Sequence, residues 1–463
     1  MRILSRRLLA VVVLVAATLG VVPLGVAGAP VVEAQTTDLG AGGEYHPLTP
    51  TRIFDSRVPS LDVAPKGKKP TSKAGSSFNI PVLGKGGIPS NANDVLAIVV
   101  GVTIADPEST GYMTVFAAGS NAGTSSLINF VQGRNVPNLA IVGVGTGGAV
   151  TARLTTGRGN FKAHVILDVF GWYSTTASGN RGARIIPTSP NRIFDSRTTG
   201  GALGKGQWRT VQVRGTSQVP NDTSVTGVML NVTAVNNHPA SLSTYVSITP
   251  QATTGGKPPS TSNVNVVPGQ IKATMAIVPI GSDGKIRVYN HSGQNDVVLD
   301  VLAYLKTGAT SASTAGRLIP LDAPFRVFDT RLPAFGGVPL AARSAENWSF
   351  EKFADSVTLN GAYVGEQSAL IGNLTGTQLA RLYPTVPAST FLTMYPGNLT
   401  KRPLASNLNV PENEDVPNMS LLKYGTVDAN TADAIPPDDY VVTAYNHDGS
   451  LHYLLDVFAV VLK

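Results

Sequence analysis

"RIFDSR" spans Arg52 to Arg57, recurs unchanged at Arg192 to Arg197, and reappears as "RVFDTR" at Arg326 to Arg331. A catalytic group is normally needed once in a chain, whereas a folding device is needed in every copy of a fold. The triplicated hexapeptide therefore points first to an internal repeat.

The repeat extends well beyond the hexapeptide. "PLTPTR", "PTSPNR" and "PLDAPFR" lead into it. Apolar segments follow from Leu96, Gly227 and Ala369, aligning Val102-Thr103 with Val232-Thr233 and Leu374-Thr375. Further strands begin at Tyr112, Tyr245 and Phe391. A second signature, "SLINF", "SNVNV" and "SNLNV", aligns Asn129, Asn265 and Asn409. Each unit closes on an apolar run with one carboxylate inside it, at Asp168, Asp300 and Asp456.

Small, polar stretches at Ser174–Ala183 and Thr307–Gly316 have linker composition and separate units of about 45–174, 184–306 and 317–463. At 463 residues the chain is too long for one core, in keeping with three units. Short runs rich in Val, Ile and Thr alternate with turn residues, and 48 Gly and 32 Pro argue against long helices. The expected fold is all-β: three tandem antiparallel β-sandwich, jelly-roll-like domains, one per repeat. Only "SAENWSFEKFADSV" in the third unit reads as a short helix or inserted flap.

The first 34 residues combine a basic head (Arg2, Arg6, Arg7), an apolar run and small residues, which reads as a secretory signal peptide cleaved after Ala34. The apolar run is shorter than the ~20 residues that span a bilayer, so no membrane span is expected after cleavage. The mature chain is expected to be extracellular or cell-wall associated. With no cysteine, each unit must be held by burial and internal polar pairing. A formal charge of +7, part of it in the leader, gives little reason to expect a nucleic acid, and the cluster Lys66–Lys69 lies in a Pro/Ser/Gly-rich loop.

A carboxylate inside an apolar strand is tolerated only when paired or hydrogen-bonded. Because the hexapeptide opens each unit and the Asp closes it, first and last strands are expected side by side, with a motif Arg on the closing Asp. The proposed clasp comprises Arg52, Asp55, Arg57, Asn129 and Asp168 in the first unit. Its counterparts are Arg192, Asp195, Arg197, Asn265 and Asp300, then Arg326, Asp329, Arg331, Asn409 and Asp456. The competing reading is a triplicated binding site for anionic or hydroxylated ligands. Calcium could use Asp55, Asn129 and Asp168, but the adjacent guanidinium groups oppose a divalent cation. No nucleophile, base and orienter can be assembled from spacing, so no catalytic residue and no cofactor is assigned. The three Trp (Trp172, Trp208, Trp348) do not align across the units, so a carbohydrate platform is not signalled by them.

With these residues in place, the chain resembles actinobacterial secreted tandem-repeat proteins of the form P-x-R-x-x-D-T-R, then S-N-L-N, then D-V-x-G-Y-F. "FDTR" in the third unit and "DVFGWY" in the first match best. "DVLAYL" and "DVFAVV" lose the Gly, and Leu127 stands where the pattern has Asn. The resemblance implies export to the cell envelope or medium, and accessory or surface-binding roles, with cell-wall glycan or other surface proteins as partners. It carries over no catalytic residue. Two functions are expected on these grounds: a non-enzymatic structural or adhesion protein, or a carbohydrate-binding module array.

Overall fold

The computed structural model describes residues 3–6, 42–58, 68–71, 77–121, 123–156, 161–251, 257–259, 261–309, 313–359, 362–380, 389–427 and 438–463. Apart from Ile3–Arg6, which adds parallel to the edge strand Ser344–Ser349, the leader lies outside these residues.

The same eight strands recur in each repeat and form two sheets of four, the second sheet of the third repeat being widened to six by Ile3–Arg6 and Gly425–Val427. One sheet takes the first, eighth, third and sixth strands in that order, and the other the second, seventh, fourth and fifth. This is the connectivity of a jelly roll. In the first sheet the opening strands are Tyr45–Asp55, Arg184–Asp195 and Leu318–Asp329. The closing strands are His164–Ser174, Asp296–Lys306 and Ser450–Leu462. Next come the central strands Val95–Ala105, Val225–Val235 and Gln367–Ala380. Last are Val136–Gly143, Ile271–Pro279 and Val416–Lys423, termed axial below. The segment read as a helix or flap holds the strand Ser344–Ser349 and the short helix Glu351–Ser356.

The expectation of three tandem sandwiches needs correction. The axial strands of all three repeats touch one another, and the fifth strands (Ile128–Phe130, Val264–Val266, Leu408–Pro411) sit beside them. Six sheets thus radiate from a common axis like propeller blades. The physical reason lies in the central strands, whose residues are buried on both faces. Val228, Leu230 and Val232 face their own repeat's core, while Met229 joins a core shared between repeats. Leu370 and Leu374 against Ala369 and Ile371 divide in the same way. Met275, Met419, Ile277 and Leu421 complete the shared core from the axial strands. Fully burying each such side chain contributes about 1.5–3 kcal/mol, which a string of separate beads would forgo.

Polar bonds fix the angle between neighbours. From the first repeat, Ser126 N donates to Asp456 Oδ2 at 2.9 Å, and Asn373 Nδ2 of the third repeat returns a bond to Ser126 O at 2.8 Å. Asn138 Nδ2 donates to Asn373 Oδ1 at 2.9 Å, and Asn138 Oδ1 accepts from Met419 N at 3.2 Å. The junction of the third repeat with the second repeats this set. Ser406 N reaches Asp300 Oδ2 at 3.4 Å, Asn231 Nδ2 donates to Ser406 O, Asn418 Nδ2 donates to Asn231 Oδ1 at 2.9 Å, and Met275 N donates to Asn418 Oδ1 at 2.9 Å. At the remaining junction Gly101 and Thr274 stand where the other repeats have Asn, and among the described residues the set is not formed. A Cβ on Gly101 would lie 2.8 Å from Phe170 Cε2, so that aromatic ring occupies the space an amide would need.

At the ends of the first sheets remote from the start of the axial strands, residues at the head of the opening strands meet. Tyr45 and Ala183 exchange backbone hydrogen bonds at 2.7 and 2.8 Å, and Gly43 and Leu318 at 2.8 and 3.0 Å. Ala183 closes the stretch read as a flexible linker and is held in the fold. The equivalent residues Glu44, Arg184 and Arg317 converge here, with Glu44 Oε1 3.0 Å from Arg184 Nε and 3.6 Å from Arg317 Nε.

Candidate functional site

Antiparallel register sets Arg52 opposite Asp168, Arg192 opposite Asp300 and Arg326 opposite Asp456. Arg52 Nε donates to Asp168 Oδ1 at 2.9 Å and Nη2 to Oδ2 at 3.2 Å, a bidentate fork. Its third nitrogen reaches Asp55 Oδ2 at 3.2 Å. Arg57 then grips Asp55 through Nε at 2.9 Å, Nη2 at 2.7 Å and its own backbone N–H at 3.0 Å. The chain of alternating charges Asp–Arg–Asp–Arg repeats in the other units. The remaining polar residue of the hexapeptide is also used. Ser56 Oγ accepts from Val165 N at 3.0 Å, Ser196 Oγ from Val297 N at 3.0 Å, and Thr330 Oγ1 from Tyr453 N at 2.9 Å. Phe54, Phe194 and Phe328 are buried beneath. Every polar position of the hexapeptide therefore helps to tie the opening strand to the closing one.

Two parts of the expected clasp differ. The Asp side chains are fully buried only in the second and third repeats; Asp168 is 21% exposed, because no neighbouring Ser N–H covers it. Asn129, Asn265 and Asn409 take no part. Each lies on the fifth strand directly across from an aromatic residue, Tyr112, Tyr245 or Phe391. The amides that do structural work are the preceding Asn263 and Asn407, whose Oδ1 atoms accept Ile248 N and Met394 N at 2.6 and 2.7 Å. Both asparagines stand in the alignment of "SNVNV" with "SNLNV", and Leu127 in the first unit leaves only the later one common to all three. Asn231 and Asn373 also stand in the aligned sequence, each just before an apolar-Thr pair.

The clasp carboxylates titrate unusually. Burial pushes Asp55 and Asp329 up, but the hydrogen bonds and charge of Arg57 and Arg331 outweigh it; at Asp195 the hydrogen bond from Arg197 is the largest influence. All three are held below the ordinary carboxylate value. Their contribution to stability is complete above the unfolded value of about 4 and is lost as pH falls through the folded values. Asp300 has the opposite sign, since burial raises it, and its contribution is lost as pH rises through the folded value. Thermal unfolding followed from pH 5 to pH 2 is expected to show falling stability, with a shallower fall in Asp195→Asn. Identical slopes in the two proteins would remove the motif Asp from the account.

The aligned asparagines and aromatics face an open funnel of about 1470 Å³ on the axis, at the start of the axial strands. Tyr245 stacks on His291 with ring centroids 4.4 Å apart, and Phe391 on His447 at 4.3 Å. Thr155 faces Tyr112 at the corresponding place in the first repeat. Buried nitrogens Asn409 Nδ2, His291 Nδ1 and His447 Nδ1 have no hydrogen-bond partner. Three polar-aromatic pairs thus surround one opening, on backbone held by the sheets. Among the described residues no cluster of His, Asp and Glu could hold a metal ion, and no helix is long and apolar enough to cross a membrane.

No family model and no curated protein matches the chain. Solved structures are similar to it at low level, and three among them follow. One is a triple jelly roll fold from an archaeal virus, at 9% identity over 91% of this chain and 90% of that one, with TM-score 0.16. Another is from Sulfolobus turreted icosahedral virus, at 9% identity over 91% of each chain, with TM-score 0.16. The third is a tandem CBM22 domain pair of Paenibacillus barcinonensis Xyn10C, at 11% identity over 56% of this chain and 99% of that one, with TM-score 0.15. The all-β fold rests on the strand order described above and not on these likenesses.

Proposed function

We propose that this chain is a secreted, non-enzymatic recognition protein of the cell envelope or extracellular space, whose clasped blades hold a funnel for a polyhydroxylated ligand, a cell-wall or environmental glycan. The observation that carries the reading is the threefold pairing of an aromatic ring with an Asn amide across adjacent strands, all facing one opening. An aromatic face covers the C–H face of a sugar ring, and an amide offers both a donor and an acceptor to neighbouring hydroxyls. The surrounding Arg–Asp ladders engage the carboxylates on both oxygens and serve rigidity. The basic-apolar leader supports export.

The test is binding of the full chain to a glycan array and to peptidoglycan fragments, with Tyr245→Ala and Phe391→Ala as variants. Loss of one stacked ring is expected to weaken binding about tenfold, or about 1.4 kcal/mol, without moving the thermal unfolding midpoint by more than a few degrees. Absence of any saccharide binding would defeat the recognition reading and leave a purely structural or adhesive role.

A further inference from the structure

The funnel wall is not electrically symmetric. At equivalent places on the axial strands stand Val136, Lys272 and Val416, and two residues earlier Arg134, Gln270 and Glu414. Arg134 Nη1 lies 2.6 Å from Glu414 Oε1, joining the first and third repeats, so these two charges satisfy each other. Asp415 Oδ1 accepts the Thr377 hydroxyl. Lys272 is half-buried on the funnel wall, and among the described residues it has no ion-pair contact; the carboxylate acting on it from a distance is Glu414. A partly desolvated ammonium without a contact partner is costly unless something fills the gap. On the strand Leu408–Pro411, which touches the strand of Lys272, Asn409 Nδ2 is a buried donor with nothing to donate to. Both features ask for acceptor oxygens, and one of them asks for negative charge.

Resting on the recognition reading, we infer that the funnel prefers a saccharide bearing a carboxylate, whose anionic group sits on Lys272 while hydroxyl or carbonyl oxygens accept from Asn409. A single ammonium suits a single negative charge, and Glu414 nearby opposes the second charge of a phosphate dianion. Burial lowers Lys272 to about 8, with Glu414 pulling the other way, so an arriving carboxylate also stabilises the proton it needs.

The experiment is calorimetric titration of the full chain with matched neutral, carboxylated and sulfated forms of an oligosaccharide bound on the array. The carboxylated form is expected to bind about tenfold tighter than the neutral one. Lys272→Gln is expected to erase that preference while keeping neutral binding, and Lys272→Arg to restore part of it; Lys272→Met serves if the Gln variant unfolds early. Equal binding of neutral and carboxylated forms would overturn this inference and leave the recognition reading standing. Tighter binding of the sulfated form would overturn the carboxylate assignment. Failure of every saccharide on the array would end both.

Discussion

Asp456→Ala should lose about 3–5 kcal/mol of unfolding free energy, measured by urea denaturation, the range for breaking a buried ion pair. The side chain is fully buried and holds Arg326 by two bonds, at 2.8 and 2.9 Å. It also accepts Ser126 N from the first repeat. Alanine therefore leaves a guanidinium short of one carboxylate and a buried backbone N–H short of its acceptor, and it loosens a clasp and a junction together. Asp300→Ala should behave similarly, with Arg192 and Ser406 in the matching roles. Asp168→Ala should cost about 1 kcal/mol or less, because its Arg52 partner is 47% exposed and surface pairs are weak. Equal losses in all three variants would show that the junction bond contributes nothing beyond the fork. Losses below about 1 kcal/mol throughout would show that the clasp does not lock the opening strand.

The repeat, its strand content and the pairing of opening with closing strand were legible because they rest on local pattern. An ionisable residue inside "VILDVFGW" must have a partner, and a motif written three times at near-constant spacing supplies it. The ring was less visible, yet it left a trace. Segments such as "LAIVVGVTIA" are nearly continuous runs of apolar residues, the signature of a strand covered on both faces. Read as half-exposed alternation, they suggest separate sandwiches; read as double burial, they demand a neighbour for each blade. The funnel could not be read at all from Asn129, Asn265 and Asn409 alone. Asn407 and Asn409 are two residues apart, and strand alternation alone would put them on one side. But Asn407 precedes the strand Leu408–Pro411 and turns in to accept Met394 N, so only Asn409 lines the funnel. The same holds for Glu44, Arg184 and Arg317, which stand at equivalent places at the head of the opening strands but meet only once the blades close.

That meeting point carries the second large effect. Glu44→Ala should also cost about 3–5 kcal/mol, since it removes the carboxylate shared by two buried guanidinium groups. Glu44 Oε1 serves Arg184 at 3.0 Å and Arg317 at 3.6 Å, and Oε2 accepts Gly182 N at 2.9 Å. Arg317 is already pushed down by burial and by the charge of Arg184, so the two cations repel each other even with Glu44 present. Glu44→Gln keeps an acceptor for Gly182 but not the charge, and it should recover only a small part of the loss. Replacing the trio together, as Glu44→Leu with Arg184→Leu and Arg317→Met, should recover most of it, because apolar packing can stand in for a buried ion cluster. Three identical residues at this site would all repel or all lack a partner. One acid and two bases at equivalent positions therefore give the closed ring of repeats an electrostatic reason to assemble in a single arrangement. A Glu44→Ala protein that melts with the parent would mean that water reaches the cluster, and the ring would then be held by its shared apolar core and the asparagine junctions alone.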